Sequence, residues 1–109
     1  MNDPVVEVFR SEIIPKLIEY FIPEEIILFG SRVAGNAHEE SDLDVIIVSE
    51  IFKDIPLHER FPMVRKRVRT PYSIDYLCYT PDEFERMKTR SSVLESALSG
   101  PHQMVLGSA

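Results

Sequence analysis

The sequence predicts an α/β fold: a small mixed β-sheet of three or four strands with helices packed on it. Three observations carry this. Apolar runs at residues 26–29, 43–48 and 72–79 have the length and composition of short strands. Segments with apolar residues at helical spacing flank and separate them. The 109 residues are 44% hydrophobic and 28% charged, so one ordinary globular unit is expected over residues 1–109, with a core over about 5–98. Strands that alternate with helices build layered α/β folds.

The first helix is expected over residues 5–21. Val5, Val6, Phe9, Ile13, Ile14, Leu17, Ile18 and Phe21 recur at helical spacing, with Glu7, Arg10, Glu12, Lys16 and Glu19 between them. Asp3-Pro4 suits its cap and first turn. Pro15 lies inside this stretch, where it removes a backbone donor and is expected to kink the helix. Pro23 breaks the pattern, and Ile26-Ile27-Leu28-Phe29 follows as a buried strand. Gly30-Ser31 ends that strand, Arg32-Val33-Ala34 has room for one helical turn, and Gly35-Asn36 stops it. The second strand, residues 43–48, is apolar throughout after Asp44, as a strand covered on both faces would be. Its short connection to the first strand predicts an antiparallel pair.

Residues 52–68 read as a linker and a helix with Leu57, Phe61, Val64 and Val68 as its stripe. The third strand is expected over 72–79. Thr80-Pro81-Asp82-Glu83 is a strong helix start, with a Thr cap, Pro at the first position and Glu in the capping box. Helical sequence runs to about Met87 and again over residues 92–98, closed by Ser99-Gly100-Pro101. Gly107-Ser108-Ala109 has the composition of a frayed end.

Charge and composition narrow the chemistry. The net charge is −6, a poor match to tight non-specific nucleic-acid binding, so no direct binding of that kind is expected. Cys78 is the only cysteine, which excludes an internal disulfide, and its apolar surroundings suggest a buried, inert thiol. No membrane segment or leader is expected, and the cytoplasm is the default location. His38 and His58 have no cysteine or histidine at zinc spacing. A unit this small is often marginal alone, so a homo-oligomer or a partner protein is plausible.

The chemistry-bearing residues are carboxylates and a glycine turn. Asp42 and Asp44 open an otherwise apolar strand, and two residues apart they share a face, with Cα atoms about 6–7 Å apart. Such a pair repels unless a cation lies between, and hard oxygen ligands suit Mg²⁺. Taken alone, Asp-x-Asp is better explained by a surface turn. Gly30-Ser31, between a strand and a helical turn, offers backbone N–H groups of the kind that hold phosphate, and glycine permits close approach. Arg32 could face phosphates or Glu39 and Glu40. Asp75 interrupts the third strand, which is costly unless it is paired, with Arg67 or Arg69 for example, or bound to metal. Beside the second strand it would complete a three-carboxylate cluster able to hold two metal ions. The basic run Arg65-Lys66-Arg67-x-Arg69 reads first as a solvated helix face and second as a contact for phosphates or an acidic partner. Tyr72, Tyr76 and Tyr79 read as core, with Tyr76 opposite Asp75 and under a helix.

The stretch Gly30-Ser31-Arg32-Val33-Ala34-Gly35 through Ser41-Asp42-Leu43-Asp44-Val45 resembles the signature of the minimal nucleotidyltransferases, small members of the DNA polymerase beta superfamily. Asp75 matches that family's third carboxylate, and the resemblance extends over residues 15–98. It implies that Gly30, Ser31, Arg32 and Ser41 bind the triphosphate and that Asp42, Asp44 and Asp75 hold two Mg²⁺ ions. It also implies attack of an acceptor hydroxyl on the α-phosphorus of a nucleoside triphosphate, with ATP favoured. Many members are antitoxin partners of a separate HEPN-domain protein, and some transfer AMP to it. An antitoxin that works by binding alone, with the metal site as a relic, is the competing expectation; a phosphotransferase is a weaker one.

Overall fold

The computed structural model describes residues 3–107; Ser108 and Ala109, the end of the tail read as frayed, lie outside the described residues. Its centre is a four-stranded mixed sheet in the order β3-β2-β1-β4. The strands are β1 (Glu25–Phe29), β2 (Leu43–Val48), β3 (Ile74–Tyr79) and β4 (His102–Leu106). As expected, β1 and β2 pair antiparallel; β2 and β3 pair parallel, and β4 pairs antiparallel with β1.

Helices cover both faces. On one lie α1 (Pro4–Val8), α2 (Ile14–Phe21) and α4 (Leu57–Arg67). Their core joins Phe9, Leu17, Phe21 and Val64 to Ile26, Leu28, Val45, Ile47 and Tyr76 of the sheet. On the other lie α5 (Pro81–Met87) and α6 (Ser92–Ser99), where Phe84, Leu94 and Ala97 meet Ile27, Ile46, Val48 and Tyr79. The strand alternation of side chains explains the split. With helices on both sides, β2 has no solvent face, and Asp44 is its one residue that is not buried. Each fully buried branched side chain there contributes about 1.5–3 kcal/mol.

Pro15 is accommodated by a wide turn. Residues Phe9–Ile13 form a π segment between α1 and α2, in which the Ile14 N–H donates to the Phe9 carbonyl. Pro15 then falls in the first turn of α2, where a missing N–H costs little. The cap at Asp3 is also present: its carboxylate accepts from the N–H groups of Val5 and Val6.

Two expectations need correction. Leu57, assigned to the buried stripe of α4, is 61% exposed, and Arg60 takes its place inside at 4%. The third strand begins at Ile74 rather than at Tyr72, and Tyr72 is not core as expected: it and Ser73 are exposed residues of the preceding turn. Tyr76 is core as expected, edge-on to Phe61 of α4 with ring centroids 6.0 Å apart.

Arg60 joins three elements. Its guanidinium donates to the carbonyls of Ile55 (2.9 Å) and Cys78 (3.1 Å) and to both oxygens of Glu83 (2.5 and 3.1 Å). Glu83 is also the acid of the α5 capping box, accepting from the Thr80 N–H at 2.8 Å. The Arg60 hydrogen bond, first, and the Thr80 contacts hold the Glu83 carboxyl below its ordinary value of 4.5. Its stabilising effect is therefore complete above pH 4.5 and fades as pH falls through the lower folded value. Arg60→Met should destabilise the fold by about 2–3 kcal/mol, the scale of losing hydrogen bonds to a charged group. In urea titrations the gap between wild type and variant should narrow below pH 4.5; a gap independent of pH would contradict the pair's role.

Candidate active site

The parallel register of β2 and β3 sets Asp44 directly beside Asp75. Register partners share a face, and neighbouring strands lie about 4.8 Å apart, so the two carboxylates rise side by side. Asp42 precedes β2 on the same parity and is held at the strand entrance. There the Ser73 hydroxyl donates to its carboxylate, and the Leu43 N–H donates to the Ser73 carbonyl at 3.0 Å. Sequence reasoning passed over Ser73; its place two residues before Asp75 gives no signal until the register is known.

Burial is the first cause that raises the Asp44 pKa, with repulsion from Asp75 and then Asp42 adding to it. Asp75 is raised by burial and then by Asp42. Neither Arg67 nor Arg69 relieves Asp75 by an ion pair among the described residues. Arg67 lies instead over the Tyr20 ring, 4.2 Å from its centroid.

On the other side of Asp44 stands the glycine turn. Phe29, the last residue of β1, is in register with Asp44, and Gly30 follows at φ +87°. A Cβ at Gly30 would collide with Asp44 Oδ2 and lie 3.1 Å from its Cγ. Only glycine lets the turn meet this carboxylate. Ser31 then opens the short helix α3 (Ser31–Ala34), which closes at Gly35, also at positive φ. A cavity of about 600 Å³ lies against this turn, lined by Phe29, Gly30, Ser31, Ser96 and Ala97 among others.

The other two phosphate-binding expectations point elsewhere. The Arg32 guanidinium is spent on the protein: it binds the Asp3 carboxylate at 3.0 Å and donates to the carbonyls of His38, Glu39 and Ser41. It faces the loop backbone rather than the Glu39 and Glu40 side chains or an open phosphate site. The Ser41 hydroxyl accepts from the His38 N–H at 2.8 Å, closing the same loop. Both shape the loop that delivers Asp42. Cys78 is buried, with its thiol pushed up to about 12, as an inert core residue would be.

Among the described residues, no three His, Cys, Asp or Glu side chains form a ready-made metal cage. The donor set nonetheless fits Mg²⁺, which takes one or two protein carboxylates and draws its remaining ligands from water and substrate phosphates. Mutually repelling acids next to a turn that approaches an anion closely would be relieved by such an ion.

Residues 10–99 match the model of the nucleotidyltransferase domain. This chain belongs to that family. No match is found among curated proteins. Among solved structures, a proposed nucleotidyltransferase from Sulfolobus solfataricus is similar at 28% identity and TM-score 0.57, over 74% of this chain and 71% of that one. A chain of a toxin–antitoxin complex with AMP-PNP shares the fold at 22% identity and TM-score 0.56, over 87% and 71%. BolA1 from Arabidopsis thaliana is also similar, at 25% identity and TM-score 0.56, over 68% and 93%. Shared architecture alone therefore assigns no chemistry, and the nucleotidyltransferase family match has to be read together with the carboxylates and the turn.

Two outcomes are expected at this site. Gly30→Ala should cost about 1–3 kcal/mol, as strained backbone positions do, and should displace Asp44. Chemical denaturation measures the first and a changed Mg²⁺ titration the second. Asp44→Asn removes a charge whose raised pKa marks it as disfavoured by folding. Its melting temperature in chelator should equal or exceed that of wild type, while added Mg²⁺ should raise only the wild type's.

Proposed function

We propose that this nucleotidyltransferase-family chain is a Mg²⁺-dependent enzyme that transfers AMP from ATP to a hydroxyl of a partner protein. We further propose that it is the antitoxin half of a toxin–antitoxin pair with a HEPN-type partner. The observation that carries the reading is the row Gly30, Asp44, Asp75, in which a close-approach turn and two carboxylates are aligned by strand register.

In this reading the triphosphate lies over the Gly30-Ser31 turn, and the cavity beside that turn receives the nucleoside. Asp42, Asp44 and Asp75 would hold Mg²⁺, which supplies charge neutralisation and polarises the α-phosphate when bound. The protein's own part is positional. Gly30 admits the phosphates next to Asp44, Ser73 fixes Asp42, and Arg32 with Ser41 holds the loop between the two motifs. The acceptor oxygen bonds to the α-phosphorus, the bond to the β-phosphate oxygen breaks, and pyrophosphate leaves with the electron pair. Asp75, on the edge strand, takes the hydroxyl proton. A net charge of −6 supports a protein acceptor over a polynucleotide, and a reaction that consumes ATP with Mg²⁺ as its cofactor would suit a cytoplasmic setting.

A second reading is an antitoxin that acts by contact alone. The fold shared with a chain of a toxin–antitoxin complex favours it.

Incubation with Mg²⁺, lysate and ATP labelled at either the α- or the γ-phosphate separates these. Label should move to a protein from α-labelled ATP only. Asp44→Asn should lower transfer by about 100-fold or more, the scale of losing one group that stabilises transition-state charge. Transfer of γ-label alone would mean phosphoryl transfer, and a stable partner complex without transfer would favour the contact mode.

A further inference from the structure

A second and larger cleft, about 880 Å³, opens on the opposite side of the carboxylate row from the glycine turn. Its lining includes Asp42 and Asp75 together with Arg65, Lys66 and Arg69. These three cations are exposed, at the end of α4 and just beyond it, and none pairs with a carboxylate among the described residues. Tyr76 also lines the cleft, and its buried hydroxyl has no hydrogen-bond partner there. The basic run is solvated, as first read, and three of its four cations also line the cleft that Asp42 and Asp75 line, while Arg67 is turned onto Tyr20.

Sheet order sets the sense of the site. From β1 outward the row runs Gly30, Asp44, Asp75, and β3 is the edge strand. A triphosphate seated on the glycine turn leaves the β3 side open for the second reactant. We propose that the cleft beyond Asp75 seats the acceptor, and that the acceptor is an acidic protein segment that presents its hydroxyl side chain to Asp75. This rests on the nucleotidyl-transfer reading and adds the acceptor's chemistry. Charge complementarity selects the occupant: three unpaired cations on a chain of net charge −6 attract a short run of Asp and Glu. A polynucleotide would extend past the three cations into the negative field of the rest of the chain.

The test uses the full chain and a short fluorescent peptide of Asp and Glu with one central Tyr. Its binding is followed by anisotropy, beside a Lys-substituted control peptide and a single-stranded oligonucleotide of equal charge. The variant is Arg65→Glu with Lys66→Glu and Arg69→Glu, all surface positions. Acidic peptide should bind wild type in preference to both controls, and the variant should bind it about tenfold or more weakly, the sum of a few exposed ion pairs. Mg·ATP affinity should be unchanged. Three results overturn the proposal: no preference for the acidic peptide, stronger binding of the oligonucleotide, or an equal loss of Mg·ATP affinity in the variant, which would make the cleft a phosphate site. Failure of the transfer reading looks different: wild type would bind no ATP and label nothing while still holding the acidic peptide, and the acidic-segment site would stand.

Discussion

The pairing of β2 with both its neighbours is the constraint on which the site depends. β2 is buried on both faces, so its register cannot slip by one residue without turning Asp44 into the apolar layer beneath α4. The same register sets Phe29 and Asp75 on either side of Asp44. Hydrophobic burial along residues 45–48 therefore holds carboxylates together that would separate if free to do so. Stability made by the core is used to keep like charges adjacent, a common arrangement where a site must be ready for a cation.

Arginines divide the labour around that row. Arg32 and Arg60 are turned inward and bind backbone carbonyls, each with one carboxylate as counter-charge. A planar guanidinium with five donors suits this task, because it satisfies several carbonyls of an irregular loop at once. Arg65 and Arg69 have no such duty and remain outward. The contrast separates cations that build the site's walls from those that give it a field.

Much of this was legible in the residues. The near-continuous apolar run after Asp44 announced a doubly covered strand, and the Thr80–Glu83 capping box was readable from four letters. Asp42, Asp44 and Asp75 could be named as a set because acids inside apolar strands demand a reason. What could not be read was partnership. Arg32 looks like a phosphate ligand in sequence, and only the fold shows Asp3 and three carbonyls around it. Arg60 sits at a core position of α4 that periodicity assigns to a hydrophobe, and Leu57 is its mirror error. Strand β4 escaped assignment beyond the allowance for a fourth, since His102–Leu106 is a half-exposed edge with little apolar signal. The π segment before Pro15 depends on where the chain places a missing donor, which composition does not encode.

Asp3 holds two structures at once. One carboxylate caps the first helix through Val5 and Val6 and anchors the Arg32 fork that shapes the loop of residues 38–41. The start of the first helix and the loop that leads to Asp42 therefore share a single fastening. In hydrogen-exchange terms, this shared contact leads us to expect the amides of the first helical turn and those of that loop to open together, although some thirty positions of sequence lie between them. Whatever steadies or loosens the beginning of the helix is felt, with the same sign, at the loop that delivers Asp42.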